Sequence, residues 1–232
     1  MRPERRPTTG VPKTAELAGT LEEGLCALGL DLAADTRQRL LDYLAMMVRW
    51  NAVYNLTAIR DTREMLTHHL LDSLAIVTPL RAALDLDHAH IADIGSGAGL
   101  PGIPLAIVCP EARFVSVEPV GKKAAFQRQV AAELSLTNLE VVNVRVETLE
   151  RPVDLVTCRA FASLADFLSL ANGLIGPDTW VAAMKGQRAE IDAELKEIDP
   201  ASPATVLPLQ VPFIDAQRHL VLLPSVRARM AA

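Results

Sequence analysis

The sequence predicts an α/β protein: a mostly parallel sheet that ends in an antiparallel hairpin, preceded by a helical N-terminal extension. Three observations carry that expectation. Apolar residues recur at helical spacing from Thr14 to about Leu84; short β-rich runs then alternate with helical stretches; the last two strand-like runs have no helix between them.

Residues 1–14, rich in Arg, Pro, Thr and Gly, read as a flexible basic arm. Residues 15–84 read as a helical cap, with one apolar stripe at Leu17, Leu21 and Leu25 and a second at Leu40, Leu41, Leu44 and Val48. A third helical run spans about Glu64 to Val77 and is expected to stop before Pro79. Residues 85–232 form the α/β unit. Its strands are predicted at Ile91–Ile94, Phe114–Val117, Leu139–Val142, Leu155–Cys158 and Trp180–Met184, and its helices at Leu100–Val108, Lys122–Leu134, Leu164–Ile175 and Arg188–Ile198. Helices of this length are the crossovers that parallel strands require. Ala204–Val211 and His219–Leu223 are separated only by Phe213 to Arg218, which is hairpin spacing, so the sheet should finish antiparallel.

Composition narrows the function. The chain has 232 residues and is 50% apolar, enough for a sizeable core. Aromatics at 4% argue against a stacking platform for single-stranded nucleic acid. No apolar run approaches the roughly 18–20 residues of a membrane span, and no secretory signal is visible. Cys26, Cys109 and Cys158 lie far apart and match no zinc or disulfide spacing, so a reduced, cytoplasmic setting is expected. The net charge of −5 excludes a general polycation but not a local basic patch.

The sharpest local signal runs from Ile91 to Gly102, where the first predicted strand turns into a helix past Gly95, Gly97 and Gly99. Glycines there let the backbone approach a ligand closely. The run Gly97-Ala98-Gly99-Leu100-Pro101-Gly102 also fits the dinucleotide pattern, so the loop alone does not separate a nicotinamide from another adenosine-bearing ligand. Asp93, two residues before the first glycine, would repel a pyrophosphate but could attract the sulfonium or ammonium side of S-adenosylmethionine. Glu118 ends the second strand, where an acid accepts hydrogen bonds from ribose hydroxyls in either class.

The wider sequence resembles the RsmG (GidB) family, the guanine-N7 methyltransferases of bacterial small-subunit ribosomal RNA. The matching segments are Trp50 to Thr57, His69 to Leu74, the glycine loop through Ala106, Arg145-Val146-Glu147, Arg159 to Leu164, Lys185-Gly186-Gln187 and Arg218 to Val221. Cys158 and Lys123 depart from the family's usual Ser and Arg, and neither change removes a charge. The resemblance implies a class I methyltransferase, Rossmann-like sheet acting on 16S ribosomal RNA or the small subunit. It implies S-adenosylmethionine contacts at Gly95, Leu100, Val146, Glu147 and Arg159, added to the loop residues Asp93, Gly97, Gly99 and Glu118.

A cation follows nearly every predicted strand: Lys122 and Lys123, Arg145, Arg159 and Lys185, with Arg218 before the last strand. Gathered on one rim of an acidic protein, they would grip a phosphate backbone at one place. Lys122, Lys123, Arg145, Lys185 and Arg218 are therefore expected to meet RNA, and Arg145 and Arg159 to position the reactants. Whether Arg159 holds the methionine carboxylate or a phosphate stays open here. Guanine N7 carries a lone pair, so no acid–base residue is assigned. His68, His69 and Asp72 are expected to form a hydrogen-bond network rather than a metal site, and Trp50 and Tyr54 a core anchor rather than a stacking pair. A monomer is expected. Two rival readings share the loop: a nucleotide-dependent oxidoreductase and a non-catalytic ribosome-assembly factor.

Overall fold

A computed structural model describes residues 14–159, 161, 163–198 and 203–224; apart from Thr14, the expected basic arm lies outside them. Among the described residues the sheet has seven strands: β1 (His90–Ile94), β2 (Arg113–Val117), β3 (Leu139–Val142), β4 (Val153–Arg159), β5 (Ile175–Lys185), β6 (Thr205–Pro208) and β7 (His219–Pro224). They lie in the order β3-β2-β1-β4-β5-β7-β6. β1 to β5 pair in parallel, and β7 enters antiparallel between β5 and β6. The predicted hairpin is present.

Two helical layers cover the sheet. On one face lie α6 (Gly102–Val108), α7 (Gly121–Glu133) and the N-terminal helices α1 (Thr14–Ala27) and α2 (Ala34–Tyr54). Leu21, Leu40, Leu44 and Leu70 share one continuous apolar cluster with Ile91, Leu155 and Leu222 of the strands. The N-terminal helices thus bury their stripes against the sheet layer, which supplies most of their stability. On the other face, α8 (Leu164–Leu170) and α9 (Arg188–Ile198) close a smaller core around Phe167, Val156 and Ile191.

Three sequence expectations need correction. The third helical run is not one helix but α3 (Thr62–Met65), a π-helical segment over Leu66–Leu71 and α4 (Asp72–Leu74). It ends before Pro79 as expected, but a separate helix, α5 (Val77–Ala83), then carries Pro79 in its first turn, where proline is tolerated. α8 ends at Leu170, well before the expected Ile175, and a 3-10 turn follows over Asn172–Leu174. There a Cβ on Gly173 would lie 1.9 Å from the Leu149 carbonyl oxygen, so the chain is passing against another backbone. β5 begins at Ile175 rather than Trp180, and its pairing with β4 shifts register between Val153 and Leu155. The Gly176-Pro177 step that reads as a break lies inside the strand as an irregularity.

Candidate functional site

β1 and β4 are neighbours, yet their crossovers leave in opposite directions, to β2 and to β5. A crevice therefore opens beyond the carboxyl end of β1, the place where open α/β sheets bind ligands. The glycine loop stands in it. Gly95, Gly97 and Gly99 have φ of 64°, 60° and 86°, a conformation that costs other L-residues about 1–2 kcal/mol each. At Gly99 space matters as well: a Cβ would lie 2.3 Å from Ile103 Cδ1.

Four side chains brace this backbone. Glu118 accepts the Gly97 N–H at 2.7 Å and the Val120 N–H at 2.8 Å. Gln127, fully buried on α7, donates to the Gly97 carbonyl at 2.9 Å and to Ser96 Oγ at 2.7 Å. Tyr43 of α2 donates to the Ala98 carbonyl at 2.7 Å, and burial holds its phenol well above the usual range. Asp93 accepts the Gly102 N–H at 2.8 Å. Tyr43 and Gln127 were not found from sequence. Their apolar surroundings and helical spacing make them look like core positions, and only the tertiary fold shows where the polar ends go.

Asp93 differs from expectation. It is 1% exposed and lies beneath the loop, so its carboxyl does not open onto the crevice. Burial pushes its pKa up to about 7, and nearby Glu118 adds to the rise; the Gly102 N–H and Arg159 oppose it. Its second oxygen, Oδ1, has no hydrogen-bond partner among the described residues.

The crevice encloses about 670 Å³. Gly95, Arg145, Val146 and Glu147 line it, and Val144 and Phe161 add apolar wall. Phe161, not singled out from sequence, stands opposite the loop: a Cβ on Gly95 would lie 3.3 Å from its ring. Leu100 is buried behind the loop, its N–H bonded to the Ser96 carbonyl at 2.8 Å. Val146 and Glu147 open a 3-10 turn (Val146–Thr148) directly after Arg145.

The six rim cations fall into two groups. Lys122, Lys123 and Arg145 form no ion pair with any described residue, and Lys122 and Arg145 are exposed. The other three are tied to carboxylates. Lys185 Nζ sits 2.9 Å from Glu194 and donates to the Phe161 carbonyl at 3.3 Å, with 11% of its side chain exposed. The ammonium expected to meet phosphate thus fastens α9 to the segment just beyond β4. Arg159 and Arg218 both bond Asp72, at 3.1 and 3.0 Å. The His68–Asp72 network exists as expected, but it is buried and centred on these two arginines rather than lying on a helix surface. Among the described residues no group of three or more His, Cys, Asp or Glu is placed to hold a metal. Trp50 packs on Phe126 with ring centroids 5.5 Å apart, while Tyr54 lies tilted against Trp50 and stays 43% exposed.

Comparison with known proteins agrees with this geometry. The fold is similar to a SAM-dependent methyltransferase from Aquifex aeolicus (TM-score 0.54, 14% identity, 70% of this chain and 93% of that one). It is also similar to the METTL16 MTase domain (TM-score 0.54, 13% identity, 92% of each chain). In sequence it is 49% identical to the ribosomal RNA small subunit methyltransferase G of Methylibium petroleiphilum over 88% of this chain and 93% of the relative. The Burkholderia mallei protein of the same name is 47% identical over 95% of this chain and 96% of its own. The profile of the GidB family, described as rRNA small subunit methyltransferase G, matches residues 36–221. With the loop, crevice and sheet order in place, the chain belongs to the GidB family of small-subunit ribosomal RNA methyltransferases.

Proposed function

We propose that this protein transfers the methyl group of S-adenosyl-L-methionine to N7 of a guanine in 16S ribosomal RNA. The observation that carries the reading is the braced glycine loop at the switch point of the sheet, opening onto a crevice walled by Val144, Val146 and Phe161 with Arg145 and Glu147 beside them. Family membership removes the oxidoreductase alternative.

The residues present suit the cofactor. Gly95, Gly97, Gly99 and Leu100 form the cradle, and Glu118 keeps lone pairs for hydroxyl donors beyond the two N–H groups it accepts. Val144, Val146 and Phe161 supply apolar wall, and Glu147 and Arg145 stand at the mouth. Asp93 acts from below, holding the loop to α6. Bound there, S-adenosylmethionine supplies an electrophilic methyl carbon on a sulfonium. Guanine N7 presents its own lone pair, so no side chain has to remove a proton. The protein's share is alignment and electrostatics. Lys122, Lys123 and Arg145, unpaired and on the crevice side of the sheet, take RNA phosphates, and Arg159 and Arg218 bind an anionic group between rim and loop. The acting form is a cytoplasmic monomer engaging the small subunit; no described helix is long and apolar enough to cross a membrane.

The test is transfer of a labelled methyl group to small ribosomal subunits, with the modified base mapped. Label recovered as N7-methylguanine supports the reading. Label on another atom, or none on RNA, overturns it.

A further inference from the structure

Arg159 ends β4 and Arg218 immediately precedes β7, the two strands that flank β5, and one carboxylate holds both. Asp72 is buried, with 5% of its side chain exposed, yet it faces two guanidiniums: Arg159 Nη1 at 3.1 Å from Oδ2 and Arg218 Nε at 3.0 Å from Oδ1. Charge does not balance within this group. Two cations meet one anion, and the remaining neighbour, His69, is neutral: burial and the adjacent Arg159 push its pKa down to about 4, against a smaller opposing pull from the His68 carbonyl.

The contacts fix orientation without exhausting the donors. A guanidinium carries five N–H bonds. Arg159 spends two from Nη1, on the His68 carbonyl at 2.8 Å and on Asp72, and one from Nη2 on His69 Nδ1 at 3.1 Å. Arg218 spends Nε on Asp72 and one Nη1 hydrogen on the Gln217 carbonyl at 3.0 Å. Among the described residues the other donors, two on Arg159 and three on Arg218, meet no acceptor. His69 is itself set: accepting at Nδ1 leaves its proton on Nε2, which faces Thr57 Oγ1 at 2.8 Å. Thr57 in turn donates its N–H to Asn51 at 2.9 Å. Both arginines are thus aimed by buried, hydrogen-bonded acceptors and remain 21% and 28% exposed.

We propose that Asp72 and His69 are positioning residues that lock Arg159 and Arg218 into a single paired-guanidinium site for an anionic oxygen group. The inference rests on the methyltransferase reading and deepens it. The group is a carboxylate or a phosphate, whose planar or tetrahedral oxygens match a guanidinium fork. The methionine end of the cofactor and the RNA backbone are its two sources. Removing the Asp72 charge should weaken binding of that anion even though the protein becomes more positive, because orientation is lost.

The experiment measures affinity for S-adenosylhomocysteine, which keeps the carboxylate, and for small ribosomal subunits at several salt concentrations. Arg159→Ala, Arg218→Ala, Asp72→Asn, Asp72→Glu and His69→Ala are compared with the unmodified protein, each with its melting temperature. Asp72→Asn is expected to lose about tenfold or more for at least one ligand, the scale of one charge-assisted hydrogen bond. Asp72→Glu should restore part of that loss. His69→Ala, which changes no charge at neutral pH, should lose about threefold, the low end of what one hydrogen bond contributes. Loss for S-adenosylhomocysteine alone assigns the site to the methionine carboxylate; loss for the subunit alone assigns it to phosphate. If Asp72→Asn fails to fold, Asp72→Glu and His69→Ala decide. Lower melting temperature with unchanged affinities in the folded variants, or tighter binding by Asp72→Asn, overturns the proposal. If Arg159→Ala and Arg218→Ala also bind both ligands normally, the underlying assignment of these arginines falls as well.

Discussion

The glycine loop and the arginine pair lie at the same edge of the sheet but are held by opposite means. The loop is a contiguous stretch whose shape is set by backbone dihedrals and by side chains that grip its peptide groups. The arginine pair is assembled from residues 69, 72, 159 and 218, and its contacts span 87 to 146 positions of sequence. The loop is a rigid cradle that one methyl group can destroy. The pair is an electrostatic arrangement that survives changes of shape better than changes of charge. The comparison teaches that affinity at one edge can be lost through two different physical routes, and each has its own signature.

The largest expected effect lies at Gly99. A side chain there combines φ of 86° with a Cβ 2.3 Å from Ile103 Cδ1, on a helix buried in the core. Gly99→Val should cost about 3 kcal/mol of stability together with cofactor binding. Gly97→Ala is the control: its Cβ meets nothing nearer than the Gly95 carbonyl oxygen at 3.9 Å, so only the conformational cost of about 1 kcal/mol applies. Denaturant titration and calorimetry on both variants check this; equal destabilisation would show that space at Gly99 is unimportant.

Next comes the division among cations. Arg145→Ala should leave stability unchanged and make the log–log salt dependence of RNA affinity shallower by about 0.7–0.9. Lys185→Ala should do the reverse: stability falls by about 1–3 kcal/mol, because Glu194 loses its ammonium in a mostly buried setting, and the salt slope holds. A changed slope for Lys185→Ala would return it to the RNA-facing group.

In the unmodified protein the smallest effect is in pH dependence, where the two regions oppose each other. Asp93 has a folded pKa near 7 against an ordinary 3.8, so the folded state holds its proton longer and this group costs stability as pH rises from about 4 to 7. His69 has a folded pKa near 4 against 6.5, so the unfolded state takes up the proton first and stability falls as pH drops from about 6.5 to 4. Between 4 and 6.5 the slopes partly cancel. Asp93→Asn should uncover the rising His69 limb, and His69→Gln the falling Asp93 limb. Chemical denaturation at half-unit pH steps reads both; identical profiles in the two variants would remove the opposition.

Sequence pattern reaches these regions unequally. The alternation of strands and helices, the terminal hairpin and the glycines at Gly95, Gly97 and Gly99 are local signals, and each is found in its place, with the larger boundary errors at α8 and β5. Glu118 is legible because strand ends have a fixed spacing in this topology. Tyr43 and Gln127 are not, since each reads as one more residue on a helical stripe until Ala98 and Gly97 are brought against it. The pairing of Lys185 with Glu194 is hidden for the same reason, although the cation itself is plain. Local chemistry is written in order along the chain, whereas partnership depends on packing. The resemblance to a known family supplied the segments around Arg159 and Arg218 and the one from His69 to Leu74, Asp72 included, but not the contacts by which Asp72 joins the two arginines.

The π-helical segment over Leu66–Leu71 gives this region an unusual sensitivity to length. A π turn is an α-helix carrying surplus backbone, so its register depends on residue count more than on residue type. Asp72 follows it immediately and takes its heading from it. Removing the surplus residue would let the segment close as an ordinary α-helix with the register beyond it kept, whereas adding one more would rotate everything beyond by about 100°, one residue's share of a 3.6-residue turn, and carry the carboxylate away from both arginines. Conservative replacements within 66–71 should be absorbed by the core, while a single insertion there should act like the loss of Asp72 itself.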